Sequence, residues 1–271
     1  MIELLAPALV ACLLLACILS YFGLHVLLRE VIFVDLALAQ LAALGAAVGH
    51  LLSTHSDSFA TYLYSFAFTL AGAAIFALAR PAKTRLPQEA LIGIVYGVSA
   101  ALVILLVSKS ALDRDDVESM LTGRLLFAEW SEIGAMAFLF GAVAILHFVL
   151  RRQFLAISEQ SRTHASSTRR QKLLDFVFYA SFGVVVTSSV QLSGVLVVFG
   201  LLIVPASCAA IYFASISSRL LASWLIGTIS CTAGIAASAL WDLPTGAAVV
   251  AALGVAFTLA VAGSIFTRAP T

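Results

Sequence analysis

Residues 31–52 read VIFVDLALAQLAALGAAVGHLL. Wound as an α-helix at 1.5 Å per residue, the run spans about 33 Å, enough to cross the hydrocarbon core of a bilayer. Its interior nevertheless carries Asp35 and Gln40. An Asp at the centre of a spanning helix costs roughly 2.5–3.5 kcal/mol on insertion scales. Asp35 lies near the start of the run, so its penalty is smaller, but its side chain is expected to face protein or water. Small residues fill much of the rest (Ala39, Ala42, Ala43, Gly45, Ala46, Gly49). Gly45-x-x-x-Gly49 is a spacing that lets two helices pack closely. Asp35 and Gln40 are about 140° apart around the helix, so they do not both point into one narrow site. Structural roles stay open for each: Asp35 as a helix cap or a partner of Arg29, Gln40 as an interhelical hydrogen-bonding group.

The rest of the chain reads the same way. Of its 271 residues 62% are hydrophobic and 11% charged, and the mean hydropathy is +1.08. A soluble domain carries about a quarter charged residues, so this is an integral membrane protein. No basic tract interleaved with aromatics points to nucleic acid. Nine windows are long and apolar enough to span: 5–28, 31–52, 58–79, 87–108, 130–150, 173–191, 193–214, 219–240 and 244–266. The sixth and seventh are separated only around Gln191–Gly194, as a tight hairpin or a broken helix, so eight or nine helices are predicted. The runs are continuously apolar, which disfavours a membrane β-barrel. Cys12, Cys17, Cys208 and Cys231 lie within apolar runs and read as buried fillers. LVAC (9–12) resembles a lipoprotein cleavage box, but no basic residue precedes it, and the first run reads as a retained helix.

The basic residues set the expected orientation. With nine helices, one set of connections holds Arg29, Arg80, Lys83, Arg85, Arg151, Arg152, Arg162, Arg169, Arg170, Lys172, Arg219 and Arg268. The other set holds Lys109, Arg114 and Arg124, beside the acids Asp113, Asp115, Asp116 and Glu118. The N-terminus is therefore expected outside and the C-terminus in the cytoplasm. Residues 108–132 form a long acidic outer connection, and residues 151–173 a polar, basic inner one. The chain reads as one transmembrane domain, 1–271.

Familiar catalytic patterns are missing. The sequence contains no G-x-x-x-x-G-K-[ST], no H-E-x-x-H and no G-x-S-x-G. Polar groups within the spans are few and scattered, so a transporter or channel is favoured over a membrane enzyme.

Five stretches carry a family resemblance: VDLALAQLAALG (34–45), QEALIGIVYG (88–97), MLTGRLLFAEWSEI (120–133), SGVLVVFGLLIVPASCAA (193–210) and ALWDLPTGAAVV (239–250). Together they resemble the permease subunits of ABC importers for divalent metals, the zinc and manganese family. The corresponding family patterns are G-D-x-x-S-H-x-x-x-P-G, an acid before A-x-I-G-I-x-F, L-x-G-x-I-L, G-x-L-L-V-x-A-L-L-I-x-P-A-A, and S-x-x-x-D-x-P-T-G-A. The resemblance implies an all-α polytopic bundle that pairs with a second copy. It also implies a cytoplasmic ABC ATPase that supplies ATP hydrolysis, an extracytoplasmic substrate-binding protein, and zinc or manganese as cargo. This chain would then be a non-catalytic transport subunit in the inner (cytoplasmic) membrane, binding no cofactor of its own.

The departures are specific. In the family an Asp and a His, four residues apart on the second helix, resemble metal ligands, and an i, i+4 pair shares one helix face. Aligned at Gly45, Leu36 stands at the Asp position, Gln40 at the His position and Leu44 at the Pro, while Asp35 stands where the family has Gly. Gln is a poorer ligand than imidazole for zinc. Either the site handles its cargo with altered chemistry, or Asp35 takes over the ligand role with Glu89. The resemblance thus implies a substrate path at Asp35, Gln40 and Glu89. His50, with His55 and Asp57, marks either a loose metal-attracting mouth beside Asp35's helix or a polar loop. His25 and His147 read as hydrogen-bonded interior residues, and His164 has no partner at ligand spacing. FLAISEQSRTHA (154–165) resembles the family's ATPase-coupling segment, which implies contacts from Phe154, Leu155, Ser158, Glu159 and Gln160 within the region 151–172. The alternatives are an ABC permease for a non-metal cargo and an ion-coupled transporter acting alone.

Overall fold

The computed structural model describes residues 2–52, 58–78, 87–107, 123–160 and 168–267. His55, Asp57, Asp113, Arg114 and His164 lie outside the described residues, as do the side chains of His50 and Gln160. The described chain is helical throughout apart from short turns. Its helices are α1 (Ile2–Arg29), α2 (Val34–Leu52), α3 (Ser58–Leu78), α4 (Gln88–Val107), α5 (Trp130–Gln160), α6 (Arg169–Tyr212), α7 (Ile216–Trp241) and α8 (Thr245–Thr267). A short 3₁₀ turn, Leu125–Phe127, precedes α5. Seven of the eight helices are long and apolar enough to cross a membrane, and α2 contributes a shorter apolar stretch, Val34–Gly49.

The expected choice between eight and nine helices is resolved inside α6. Its 44 residues are helical except at Gly194, where φ is 77° and ψ 160°. Two consecutive spans are therefore joined across a single broken residue. That conformation is open to glycine and sterically costly for other residues. The break lies against a second left-handed glycine, Gly123 (φ 69°). A Cβ on Gly123 would come within 2.3 Å of the Ser193 carbonyl carbon. The Arg124 N–H then donates to the Leu192 carbonyl (2.9 Å), giving a partner to a carbonyl beside the break. Arg124 also forms an exposed ion pair with Glu132 in the first turn of α5.

The second departure is at α5. The apolar window ends near residue 150, but the helix runs on through Gln160. The first part of the long polar connection expected after the fifth span is thus a direct helical extension of that span.

The chain forms two compact units. One comprises Met1–Leu27, Glu118–Ala144 and Ser189–Thr271. Within it, α1 lies against α6 at Gly23, where an added Cβ would sit 1.9 Å from the Leu202 carbonyl oxygen. Trp224 Nε1 of α7 donates to the Cys17 carbonyl of α1 (2.9 Å). The α7–α8 turn is built by the 238–245 stretch. Asp242 takes a left-handed conformation (φ 52°), which Asp tolerates better than most side chains. Ser238 Oγ donates to the Leu243 carbonyl (2.7 Å) and lies 2.8 Å from Thr245 Oγ1.

The other unit comprises Leu28–Val117 and Ile145–Ser188. There α2 packs against α3 and α4. Gly45 and Gly49 face α3: a Cβ on Gly45 would lie 2.5 Å from the Tyr64 carbonyl oxygen, and one on Gly49 would lie 3.0 Å from Thr61 Cα. Ser65 Oγ donates to the Ala42 carbonyl across the same contact (2.9 Å). The core is aromatic, with Phe76, Phe154, Phe178, Tyr179 and Phe182 all buried. His147 lies among them, its Nε2 2.7 Å from Ser181 Oγ.

Candidate functional site

In this second unit α4, α5 and α6 all meet the turn between α1 and α2. Helix α1 ends at Arg29, Glu30 adopts a left-handed conformation (φ 57°), and α2 begins at Val34. The Phe33 carbonyl accepts from Ala37 N (3.2 Å), so Phe33 is the residue that caps α2. Its own N–H is one of the donors that a helix start leaves without an intrahelical acceptor. Glu89, in the first turn of α4, supplies the acceptor: Phe33 N donates to Glu89 Oε1 at 3.2 Å. An acid at a helix N-terminus is favoured by the helix dipole, and Glu89 serves two helices at once.

Asp35 lies two residues further on and is 1% exposed. Its carboxyl is turned back on the N–H groups of Asp35 and Leu36, and the Glu89 charge acts on it. One oxygen of each acid, Asp35 Oδ1 and Glu89 Oε2, is buried without a hydrogen-bond partner among the described residues. Leaving such groups unpaired in an apolar interior is costly, so two adjacent carboxyls each present an unfilled acceptor position. Chemically this is a small oxygen-donor site suited to a cation. Among the described residues no group of three or more His, Cys, Asp or Glu side chains comes together.

Gln40 is placed elsewhere. The half-exposed positions along α2 include Leu36, Gln40, Ala43 and Ala46, while Asp35, Ala39 and Ala42 are buried. The spacing 36, 40, 43, 46 traces one stripe along a helix. Gln40 and Leu36 thus share the open side of α2, whereas Asp35 is buried. Gln40 lies about 7.5 Å further along the helix axis than Asp35. The backbone of His50 falls in the last turn of α2, more than three turns beyond Asp35.

The residues expected to couple to an ATPase divide by burial. Phe154 and Ser158 are buried, Leu155 is half-buried, and Glu159 is exposed. Ser158 is enclosed by a charge cluster that the sequence did not single out. Arg29 Nε donates to Ser158 Oγ (3.0 Å) and Arg29 Nη1 to Asp175 Oδ1 (2.7 Å). The guanidinium carbon stands 3.8 Å from the centre of the Phe178 ring and 5.5 Å from that of Tyr179. Tyr179 in turn accepts from Gln88 Nε2 at 2.9 Å. In the sequence Arg29 counted as one basic residue among those setting orientation and as a possible partner of Asp35; the structure pairs it with Asp175 instead. A useful signal was available: an Arg and an Asp (Asp175) at the edges of apolar runs, where an unpaired charge would be costly.

Comparison with known proteins accords with this architecture. Residues 1–264 match the model of the ABC 3 transport family. The chain is 25% identical over 260 residues to an uncharacterized membrane protein of Synechocystis, covering 96% of this chain and 90% of that one. It is 26% identical over 183 residues to the Synechocystis manganese transport system membrane protein MntB, covering 67% of this chain and 59% of that protein. Its fold is similar to that of PsaBC from Streptococcus pneumoniae, solved in complex with Fab, with a TM-score of 0.75, 19% identity, and coverage of 95% of this chain and 90% of that one. The chain belongs to the ABC 3 transport family and is a multi-pass membrane protein of that family.

Proposed function

We propose that this chain is the transmembrane subunit of an ATP-driven importer for a divalent metal ion, with manganese the better fit than zinc. The observation that carries the reading is that buried Asp35 and half-buried Glu89 each hold one enclosed oxygen without a hydrogen-bond partner among the described residues. Carboxylate and water oxygens suit manganese, whereas zinc and softer metals favour imidazole and thiolate. The altered positions Leu36 and Gln40 remove the nitrogen donor expected of a zinc site. The manganese transport protein among the relatives agrees with this choice. Water, main-chain oxygens or a second copy of the chain would complete the coordination. Gln40, on the open stripe of α2, would flank the same path.

Membership of an ABC transport family supports the rest of the proposed assembly. Two copies would form the path, and the end of α5, with Arg151 and Arg152 exposed beside Leu155 and Glu159, would dock on a cytoplasmic ATPase. A binding protein would deliver the ion from the opposite side. The N-terminus would lie outside and the C-terminus in the cytoplasm, in the inner membrane. ATP would be hydrolysed on the partner subunit alone.

The test is metal accumulation in cells co-expressing the chain with its ATPase and binding protein, read by elemental analysis for manganese, zinc and iron. The wild type is expected to accumulate manganese, and Asp35→Asn and Glu89→Gln to lower it at least tenfold. Glu89→Gln retains a carbonyl oxygen for the Phe33 N–H, so its loss would reflect charge and not helix capping. Unchanged uptake in both variants would remove the carboxyl pair from the path. An assembled complex that hydrolyses ATP but accumulates none of the three metals would point to a different cargo.

A further inference from the structure

We infer that Arg29 is a positioning residue that couples the ATPase-facing end of α5 to the Asp35–Glu89 pair through the α1–α2 turn. The inference rests on the reading of the chain as an ATP-driven metal importer and adds the internal connection that such a device requires. The turn from Arg29 to Val34 is held at both ends. At its start, Arg29 is bonded to Ser158 of α5 and Asp175 of α6. At its finish, the Phe33 N–H is bonded to Glu89 of α4. A second link runs alongside, since Gln88, the neighbour of Glu89, bonds the Tyr179 hydroxyl beneath the Arg29 guanidinium.

The turn is too short to absorb a displacement of its own anchor. Three residues separate Arg29 from Phe33, and one of them, Glu30, is already in a left-handed conformation. A shift of Ser158 must therefore break its bond to Arg29 or carry Arg29 with it. If Arg29 moves, Phe33 moves relative to Glu89. Glu89 Oε1 has two alternative partners, the Phe33 N–H and a cation at the pair. In the state seen here it caps α2; released from Phe33, both of its oxygens turn to the ion. This supplies the two-state element that coupling between distant sites demands. The coupling is reciprocal: an ion that draws Glu89 away from Phe33 alters the setting of Arg29 and Ser158.

The experiment uses the complete complex of permease, ATPase and binding protein in proteoliposomes, with manganese as the probe. The readout is the ratio of manganese-stimulated to basal ATP hydrolysis, together with ions moved per ATP. The variants are Arg29→Lys, which keeps a cation for Asp175 but not the fork that also reaches Ser158, and Tyr179→Phe, which removes the acceptor of Gln88. The ratio is expected to fall towards one in Arg29→Lys and partway in Tyr179→Phe. A purely structural role would lower the yield of complex and scale both rates together, leaving the ratio intact. A wild-type ratio in both variants overturns the inference. Should Arg29→Lys fail to assemble, Ser158→Ala deletes the other half of the same bond, and the same ratio decides. If the wild type shows no dependence on manganese or any other divalent ion, the importer reading fails, and this inference with it.

Discussion

Arg29 and Asp175 form an ion pair at 2.7 Å with side chains 2% and 1% exposed, although 146 positions of sequence separate them. The pair joins the last turn of α1 to the start of α6, and Ser158 brings α5 to the same point. Buried pairs of this kind give modest net stability, because desolvation opposes attraction. Removing one partner is different, since it strands a charge.

Asp175→Ala is therefore expected to destabilise the permease by about 3–5 kcal/mol, and Arg29→Ala by a similar amount. The double variant should lose less than the sum of the two. Unfolding of the purified protein in detergent measures all three. Additive losses would show that the pair makes no specific contribution.

Gly45 sits where a methyl group would meet the Tyr64 carbonyl oxygen at 2.5 Å, while nothing lies within 4 Å of a methyl on Gly97. Gly45→Ala should cost about 1–3 kcal/mol, because the contacting atoms of Tyr64 and Ser65 all belong to backbone that cannot rotate away. Gly97→Ala should be neutral or slightly stabilising. Comparative melting of the two variants checks the contrast, and equal effects would contradict the close α2–α3 approach.

Asp242 and Gly194 test the turns. Asp242→Gly should be tolerated, whereas a β-branched Asp242→Val should lose about 1–2 kcal/mol to the left-handed conformation. Gly194→Ala should be the more damaging change, since a backbone at φ 77° and ψ 160° is sterically costly for any residue but glycine. Expression level and thermal stability in detergent report both.

Gln40→His places an imidazole on the open stripe of α2. If that stripe lines the path, the variant complex should gain zinc accumulation relative to manganese, by severalfold, because imidazole is the better zinc ligand. Elemental analysis of cells carrying wild type and variant reads the ratio directly. An unaltered ratio would place the stripe outside the path.

Much of the fold was legible because membrane insertion is a local problem. A span must satisfy its own backbone in the absence of water, so each helix declares itself as an apolar run, and the windows from 5–28 to 244–266 coincide with helices to within a few residues except where α5 continues past the lipid. The break at Gly194 was legible too, because only the short gap around Gln191–Gly194 separates two apolar runs. The close approach at Gly45 also followed from spacing alone. What the sequence left open was direction. Asp35 and Gln40 were known to lie on different faces of α2, but only the packing of α3 and α4 decided that Asp35 is enclosed and Gln40 half-open. Likewise, Arg29 was one basic residue among fifteen until α1, α5 and α6 brought Ser158 and Asp175 around it. Periodicity fixes which residues share a face; which face is covered, and by what, depends on contacts between segments distant in the chain, and those exist only once the helices have packed.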